Sequence, residues 1–240
     1  MWLYIVIGIG VLFFLIICFC LAVANFSFDN FKEKRKEAMS YRASNGMDIR
    51  DFVAIINERY LDGALQVTRC EEYRDHFSPG IIALSSSTLG SNSLASFSTI
   101  AHELGHGLQF KKGELNKHWQ RKSKNRIFGR FFLPLIIVGI VLAVLGLLNI
   151  VPFFVLYIGV GVFALAFLIF LIACYTKYRE IKIEKGASNY GLEFLKECMT
   201  KEEVKICNEF LNSARLTYWG SLFRTMLGWT MLTQKEKMFN

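Results

Sequence analysis

A chain of 240 residues has room for one modest soluble domain and a few membrane segments. With 53% hydrophobic residues and a mean hydropathy of +0.33, it is too apolar to be an ordinary soluble protein. The formal net charge of +8 does not indicate nucleic acid, because many basic residues crowd next to an apolar segment, where anionic lipid headgroups are the better partner. Apolar segments without ionisable residues also argue against a transport pathway.

Three segments are long enough to cross a bilayer, which takes about 20 apolar residues. They are residues 2–24, 131–148 and 153–174, and none contains Asp, Glu, Lys or Arg. The first ends in Ala22-Val23-Ala24, which resembles a signal-peptide cleavage site. Its basic residues follow the apolar run instead of preceding it, so we predict an uncleaved anchor with its amino terminus outside. The other two segments are joined by four uncharged residues and predict a transmembrane hairpin.

The basic residues predict the orientation of the chain in the membrane. All 28 Lys and Arg residues lie in two segments, 26–130 and 176–240. Loops rich in Lys and Arg stay in the cytoplasm, and the hairpin returns the chain to the side it left. We therefore predict a multi-pass membrane protein in which residues 1–25 form an anchor and residues 131–175 form the hairpin. Residues 26–130 and 176–240 form two parts of one cytoplasmic domain and can share a site.

The remaining pattern predicts a mainly α protein with a small β element. Residues 48–60 have the apolar spacing of an amphipathic helix, and residues 80–84 read as a short strand. Asn92 or Ser93 can cap a helix that runs to about Phe110.

The tail, residues 193–232, is aromatic-rich and amphipathic but contains Arg215 and Arg224. Arginine is costly inside a bilayer. We therefore expect helices that pack on the domain or lie at the membrane interface, with a fourth span as the alternative.

The predicted helix from residue 93 to 110 contains the pattern His-Glu-x-x-His at His102, Glu103 and His106. Residues four apart lie on one helix face, so both imidazoles can reach one tetrahedral zinc ion. Glu103, next to the first ligand, is placed to take a proton from water activated by the metal. A chance pattern on a solvated helix is disfavoured, because residues 94–110 contain no other ionisable side chain and a buried carboxylate is costly without a cation.

A catalytic zinc ion usually has a third protein ligand. His76 and His118 are candidates, and the helix that continues from the last apolar segment offers Glu180 and Glu184 on one face. The face around Glu184 is small and apolar, so it can lie against a helix that contains Gly105. An ordinary surface glutamate is the alternative for Glu184, and the residues alone leave the choice open.

Five motifs follow one another along the chain. They are Asp75-His76-Phe77-Ser78-Pro79, Ala83-Leu84-Ser85, Ser98-Thr99-Ile100-Ala101-His102-Glu103-Leu104-Gly105-His106-Gly107-Leu108-Gln109, Glu184-Lys185-Gly186-Ala187-Ser188 and Ala214-Arg215-Leu216-Thr217-Tyr218. The ordered set resembles the YugP family of bacterial neutral zinc metallopeptidases. The resemblance implies a protease domain of the gluzincin type in the bacterial plasma membrane, with Glu184 as the third zinc ligand.

Gly186 departs from this resemblance, since the family usually has Asp at that position in its Glu-x-Asp-Ala-Ser motif. The Asp carboxylate would be a partner for a zinc-bound histidine, and such partners tune metal affinity. Ser188 or a backbone carbonyl is a candidate substitute.

These features predict a membrane-bound zinc metalloendopeptidase with one zinc ion and a membrane-associated protein substrate. Analogy with other anchored zinc proteases suggests quality control or regulated proteolysis. Two further predictions concern the substrate. The strand residues Ile81, Ile82, Ala83 and Leu84 are candidates for pairing with an extended peptide. Tyr218 and His76 are candidates for stabilising the oxyanion, with plain structural roles as the alternative.

The competing hypothesis is a membrane scaffold that binds zinc and cuts nothing. Glu103 argues against it, because a scaffold needs no base beside the metal. The missing carboxylate at Gly186 argues for it.

Overall fold

The computed structural model describes residues 2–70, 75–115 and 122–226. Helices dominate these residues, and three short strands form one small sheet, so the predicted mainly α class with a small β element is confirmed. The elements in chain order are α1 (Trp2–Ser40), α2 (Ile49–Leu61), β1 (Gln66–Cys70), β2 (His76–Ser78), β3 (Ile81–Ser85), α3 (Ser86–Leu89), α4 (Leu94–Lys111), α5 (Lys122–Leu147), α6 (Phe154–Cys198) and α7 (Lys201–Met226).

Helices α2 and α4 begin where the sequence predicts, because polar side chains cap their first turns. Asp48 accepts a hydrogen bond from the backbone N–H of Arg50 at 2.8 Å, and Ser93 caps α4 in the same way. The other candidate, Asn92, instead accepts from the backbone N–H of Ile49 at 3.4 Å. Asn92 therefore ties the start of α2 to the start of α4.

The small sheet has the order β1-β3-β2, with β1 parallel and β2 antiparallel to β3. Strand β3 is central: Ile81 pairs with Gln66 on one side and with Ser78 on the other. The remaining β3 side chains are buried. Neighbouring strands therefore already pair with the main chain of Ile81, Ile82, Ala83 and Leu84, the residues predicted to pair with a substrate.

Helix α4 lies in the middle of the main hydrophobic core, which α2, the sheet, α6 and α7 complete. Phe52 of α2 meets Phe97 of α4 edge to face at 5.5 Å between ring centres, and both side chains are fully buried. Burying a side chain of this size stabilises the fold by about 1.5–3 kcal/mol. The core therefore holds α4 rigidly on several sides.

Helices α4 and α6 cross with their backbones in contact, and glycines make this possible. A Cβ atom at Gly105 would overlap the carbonyl oxygen of Ala187, and one at Gly191 would lie 2.7 Å from the carbonyl oxygen of Ala101. The expected contact between the small face around Glu184 and the glycine-bearing helix is thus confirmed. This crossing brings Glu184 beside the His-Glu-x-x-His residues.

Two helices of the described chain are long and apolar enough to cross a membrane, within Gly10–Ser40 and Phe154–Cys198. The other predicted span is the shorter apolar helix Phe131–Leu147, which packs against α6. Length and composition alone are weak evidence that these helices cross a membrane, because a signal sequence or the core helix of a soluble protein can be equally long and apolar. Within the described part of the tail, α7 packs against α1, α4 and α6, and residues 227–232 lie outside the described residues.

Candidate metal centre

Three potential ligands converge where α4 and α6 cross. His102 and His106 lie one turn apart on α4, and Glu184 comes from α6. The Glu184 Oε2 atom lies 3.2 Å from His102 Nε2 and 3.1 Å from His106 Nε2. All three ligand atoms lie within 4.8 Å of one another. The structure thus brings together the two imidazoles and the carboxylate that motif and resemblance suggest as ligands.

Ser188 orients the ring of His102. Its hydroxyl donates to the backbone carbonyl of Glu184 at 3.0 Å, so its oxygen is left to accept from His102 Nδ1 at 3.1 Å. In the neutral imidazole the other ring nitrogen, Nε2, then has no proton and points its lone pair at the site. Ser188 is one of the two substitutes suggested for the missing Asp side chain.

Gln109 orients the ring of His106. Its side-chain N–H donates to the carbonyl of Ile183 at 2.9 Å, which turns its Oε1 atom toward His106 Nδ1, also at 2.9 Å. A hydrogen bond from Nδ1–H leaves the Nε2 lone pair of His106 facing Glu184. The Nε2 atoms of both imidazoles therefore point toward the same position beside Glu184.

Gln109 also explains the departure at Gly186. A Cβ atom at Gly186 would lie 2.6 Å from Gln109 Nε2, so the glutamine occupies the space that a side chain at position 186 would need. Sequence reasoning missed this role of Gln109. The available signals were its position three residues after His106, on the same helix face, and the lack of a side chain at residue 186.

The donor set fits a zinc ion. Two imidazole lone pairs and a carboxylate oxygen are all acceptors, and Glu184 is 5% exposed, so only a proton or a cation between them can satisfy the site. Two nitrogen ligands and one oxygen ligand are a common set for catalytic zinc. Among the described His, Cys, Asp and Glu side chains, His102, His106 and Glu184 form such a group.

In the metal-free protein, protons on the histidines take the place of the metal ion beside Glu184. Burial disfavours the charged form of Glu184, but hydrogen bonds from His102 and His106 outweigh it and hold its pKa well below the usual range. Burial likewise opposes the charge on His106, yet the hydrogen bond and charge of Glu184 raise the pKa of His106. The buried carboxylate therefore prefers a positively charged neighbour.

Glu103 lies next to the ligands, as the motif predicts. Burial raises its pKa above the ordinary 4.5, and nearby His102 and His106 partly oppose the rise. A carboxylate with a raised pKa is a better proton acceptor near neutral pH than an ordinary glutamate.

Tyr218, one of the two oxyanion candidates, reaches the site from α7. Burial raises its pKa well above the ordinary 10, and a hydrogen bond to Glu184 and the charge of that carboxylate add to the rise. The phenol therefore keeps its proton and can act as a hydrogen-bond donor. The ammonium of Lys177 lies over its ring, 5.4 Å from the centroid.

The other candidates stand apart from the ligand group. His76, the second oxyanion candidate, is exposed on strand β2 and pairs with Ala83 of β3. Glu180 forms an ion pair with Lys177 at 2.6 Å. Neither belongs to the group of described residues that could hold a metal ion. His118 lies outside the described residues.

Comparison with known proteins agrees with this geometry. The family model described as "Putative neutral zinc metallopeptidase" matches residues 10–233, which is most of the chain and includes every ligand candidate on α4 and α6. No curated protein and no solved structure gives a match. The match is consistent with the resemblance to YugP in the motifs. The chain therefore belongs to this family of neutral zinc metallopeptidases.

Proposed function

We propose that the protein is a membrane-bound zinc endopeptidase that hydrolyses peptide bonds at the site formed by His102, His106 and Glu184. The observation that carries this proposal is the convergence of a buried carboxylate and two half-buried imidazoles on one point, beside a glutamate whose pKa is raised. Membership of the neutral zinc metallopeptidase family supports the same activity.

Each residue has a distinct part in the proposed reaction. A bound zinc ion would supply Lewis acidity, which lowers the pKa of water and polarises a carbonyl group. Glu103 takes the proton from the attacking water and passes it to the leaving amine nitrogen, so no covalent intermediate with the protein is needed. Tyr218 donates its phenolic hydrogen to the carbonyl oxygen as that oxygen gains negative charge.

Ser188 and Gln109 have positioning roles. By accepting from the Nδ1–H groups they keep both imidazoles in the form and orientation that binds a metal. Gln109 also accounts for the missing carboxylate at Gly186, which was the feature that favoured an inert scaffold.

Membrane insertion is part of the proposal. The two long apolar helices are mostly exposed: 24% of the apolar window of α1 and 17% of that of α6 is buried. A core helix of a soluble protein would be mostly buried, so lipid is the better surrounding for these surfaces. The distribution of Lys and Arg supports a site on the cytoplasmic face. Membrane-associated proteins are then the accessible substrates.

The proposal is tested with purified protein in detergent and an unfolded membrane protein as substrate. Glu103→Gln should lower the cleavage rate by about 10²- to 10⁴-fold, the usual contribution of a general base, while zinc content stays the same. His102→Ala and Glu184→Ala should lose zinc as well as activity.

Glu193→Gln is the matched control, because Glu193 is an exposed residue of α6 that pairs only locally with Lys196. It should keep both zinc and activity. Cleavage that survives Glu103→Gln at the original rate would exclude the mechanism, and zinc binding that survives Glu184→Ala would exclude the ligand set.

A further inference from the structure

The height of the metal centre above the membrane follows from positions along helix α6, because this one continuous helix contains both the apolar stretch and Glu184. Tyr157 and Tyr175 are exposed near the two ends of this stretch. They are 18 positions apart, about 27 Å at the rise of an α-helix, which is close to the roughly 30 Å thickness of the hydrocarbon layer. Tyrosine is enriched at membrane interfaces. Tyr175 therefore marks one edge of the hydrocarbon layer.

Glu184 is nine positions beyond Tyr175, so it lies about 14 Å above the hydrocarbon edge. A helix tilt of about 20° would shorten this height by less than about 1 Å. The headgroup region on each side is about 5–7 Å thick. The metal centre therefore lies less than about 10 Å beyond the headgroups.

Helix α7 gives an independent indication of where the hydrocarbon edge lies. A Cβ atom at Gly220 would overlap the Ser27 hydroxyl oxygen and lie 3.3 Å from the carbonyl oxygen of Ala24. Ala24 is the last residue of the first apolar segment, so Gly220 lies at the hydrocarbon edge. Tyr218, only two positions earlier, lies about 3 Å above that edge. The ammonium of Lys177, two positions beyond Tyr175 on α6, lies over its ring, 5.4 Å from the centroid, so the two helices place the edge at the same level. The next residues of α7, Leu222 and Phe223, pack in one cluster with residues of the apolar segments: Cys20, Ala24, Phe132, Ile136, Ala166 and Ala173.

We infer that the substrates are membrane-anchored polypeptides, cut in the short segment immediately outside the bilayer on the side of the metal centre. This inference rests on the proposed function. An extended chain advances about 3.3–3.6 Å per residue, so about four residues span the 14 Å between the hydrocarbon edge and the site. An anchored segment is also held near the site at a high effective concentration, which falls as the tether lengthens. A free polypeptide has neither advantage.

The position of cleavage tests the inference. The substrate has one apolar anchor followed by a repeated, identical cleavable sequence, and it is reconstituted with the full chain in vesicles of phosphatidylethanolamine and phosphatidylglycerol. Mass spectrometry should find cuts that begin about four residues from the anchor and concentrate within about ten residues of it. The same repeat without its anchor, at equal total concentration, should be cut at least about tenfold more slowly.

Two results would overturn the inference while leaving the proposed function intact. They are cuts spread evenly along the repeat, and equal rates with and without the anchor. Absence of any cleavage that depends on Glu103 would instead overturn the proposed function, and the inference with it. The Glu103→Gln variant in the same vesicles separates these cases.

A measurement of depth tests the geometry without using activity. Spin labels are attached to ketone-bearing non-natural residues that replace Tyr175 or Asn189, both of which are exposed on α6. The label at 175 should lie at the hydrocarbon edge, and the label at 189 should lie in water about 21 Å further out. A label at 175 that is fully in water, or one at 189 within the bilayer, would contradict the height assigned to the site.

Discussion

Gln109 has two contacts at the site, since it orients His106 and fills the space beside Gly186. Gln109→Ala removes the acceptor for His106 Nδ1–H, so we expect zinc affinity to fall by about 10- to 100-fold. Competition with a chelator of known affinity measures the change. Gln109→Glu keeps an acceptor oxygen but loses the N–H that donates to the Ile183 carbonyl, so its zinc affinity should lie between those of the wild type and Gln109→Ala. Unchanged zinc affinity in Gln109→Ala would show that the ring needs no such partner.

The shifted pKa values of the ligands predict how the stability of the metal-free protein depends on pH. The pKa of His106 is raised above 6.5, so this group stabilises the fold fully below pH 6.5, and the contribution disappears as pH rises through the raised pKa. The pKa of Glu184 is lowered below 4.5, so its contribution is present above pH 4.5 and disappears as pH falls through the lowered value. Between the two ordinary values both contributions are present.

We therefore expect the melting temperature of chelator-treated protein to fall as pH rises above 6.5, relative to a Glu184→Gln variant that lacks the carboxylate. Zinc replaces the proton between the ligands, so the zinc-dependent rise in melting temperature should grow over the same range. Thermal unfolding in detergent with and without zinc measures both effects. A metal-free protein that becomes more stable above pH 6.5 than the variant would contradict the assignment.

At the scale of elements, the crossing of α4 and α6 decides whether the site exists, because the ligands come from both helices. Gly105→Ala would place a methyl group against the Ala187 carbonyl, and forced overpacking of this kind costs about 1–3 kcal/mol of unfolding free energy. We also expect lower zinc occupancy, since the helices must separate.

Gly161→Ala is the matched control for Gly105→Ala. Gly161 is also helical, but a Cβ atom there would meet nothing within 4 Å. This change should be neutral, or stabilising by up to about 1 kcal/mol through helix propensity. Unfolding in denaturing detergent and metal analysis compare the two variants. Equal stabilities would show that the close crossing is not required.

For the whole molecule, the predicted topology places both parts of the domain on one side of the membrane. An epitope tag after Asn240 should be inaccessible in intact cells and become accessible after permeabilisation, whereas a tag before Met1 should be accessible from outside. The physical reason is the concentration of Lys and Arg in segments 26–130 and 176–240, together with the cost of Arg224 in a bilayer. A tag after Asn240 that is accessible in intact cells would indicate a fourth span.

Features that depend on residues close together in the chain can be predicted without a structure. The 3.6-residue period sets His102 and His106 on one face of α4, the cap at Ser93 sets where that helix begins, and the length of apolar runs selects the candidate spans. Each of these follows from residues within a few turns of one another, so no knowledge of packing is needed. The motif order was specific enough to indicate the family that the comparison then showed.

Features that depend on residues far apart in the chain become visible only once the chain is folded. Glu184 lies 82 positions from His102, and nothing in the residues alone chose it over Glu180 or His76. The crossing of α4 and α6 brings it to the histidines, and the same crossing gives Gln109 its role. The central position of β3 in the sheet could not be predicted from the sequence either, because strand order depends on which strands pair and not on the composition of one strand.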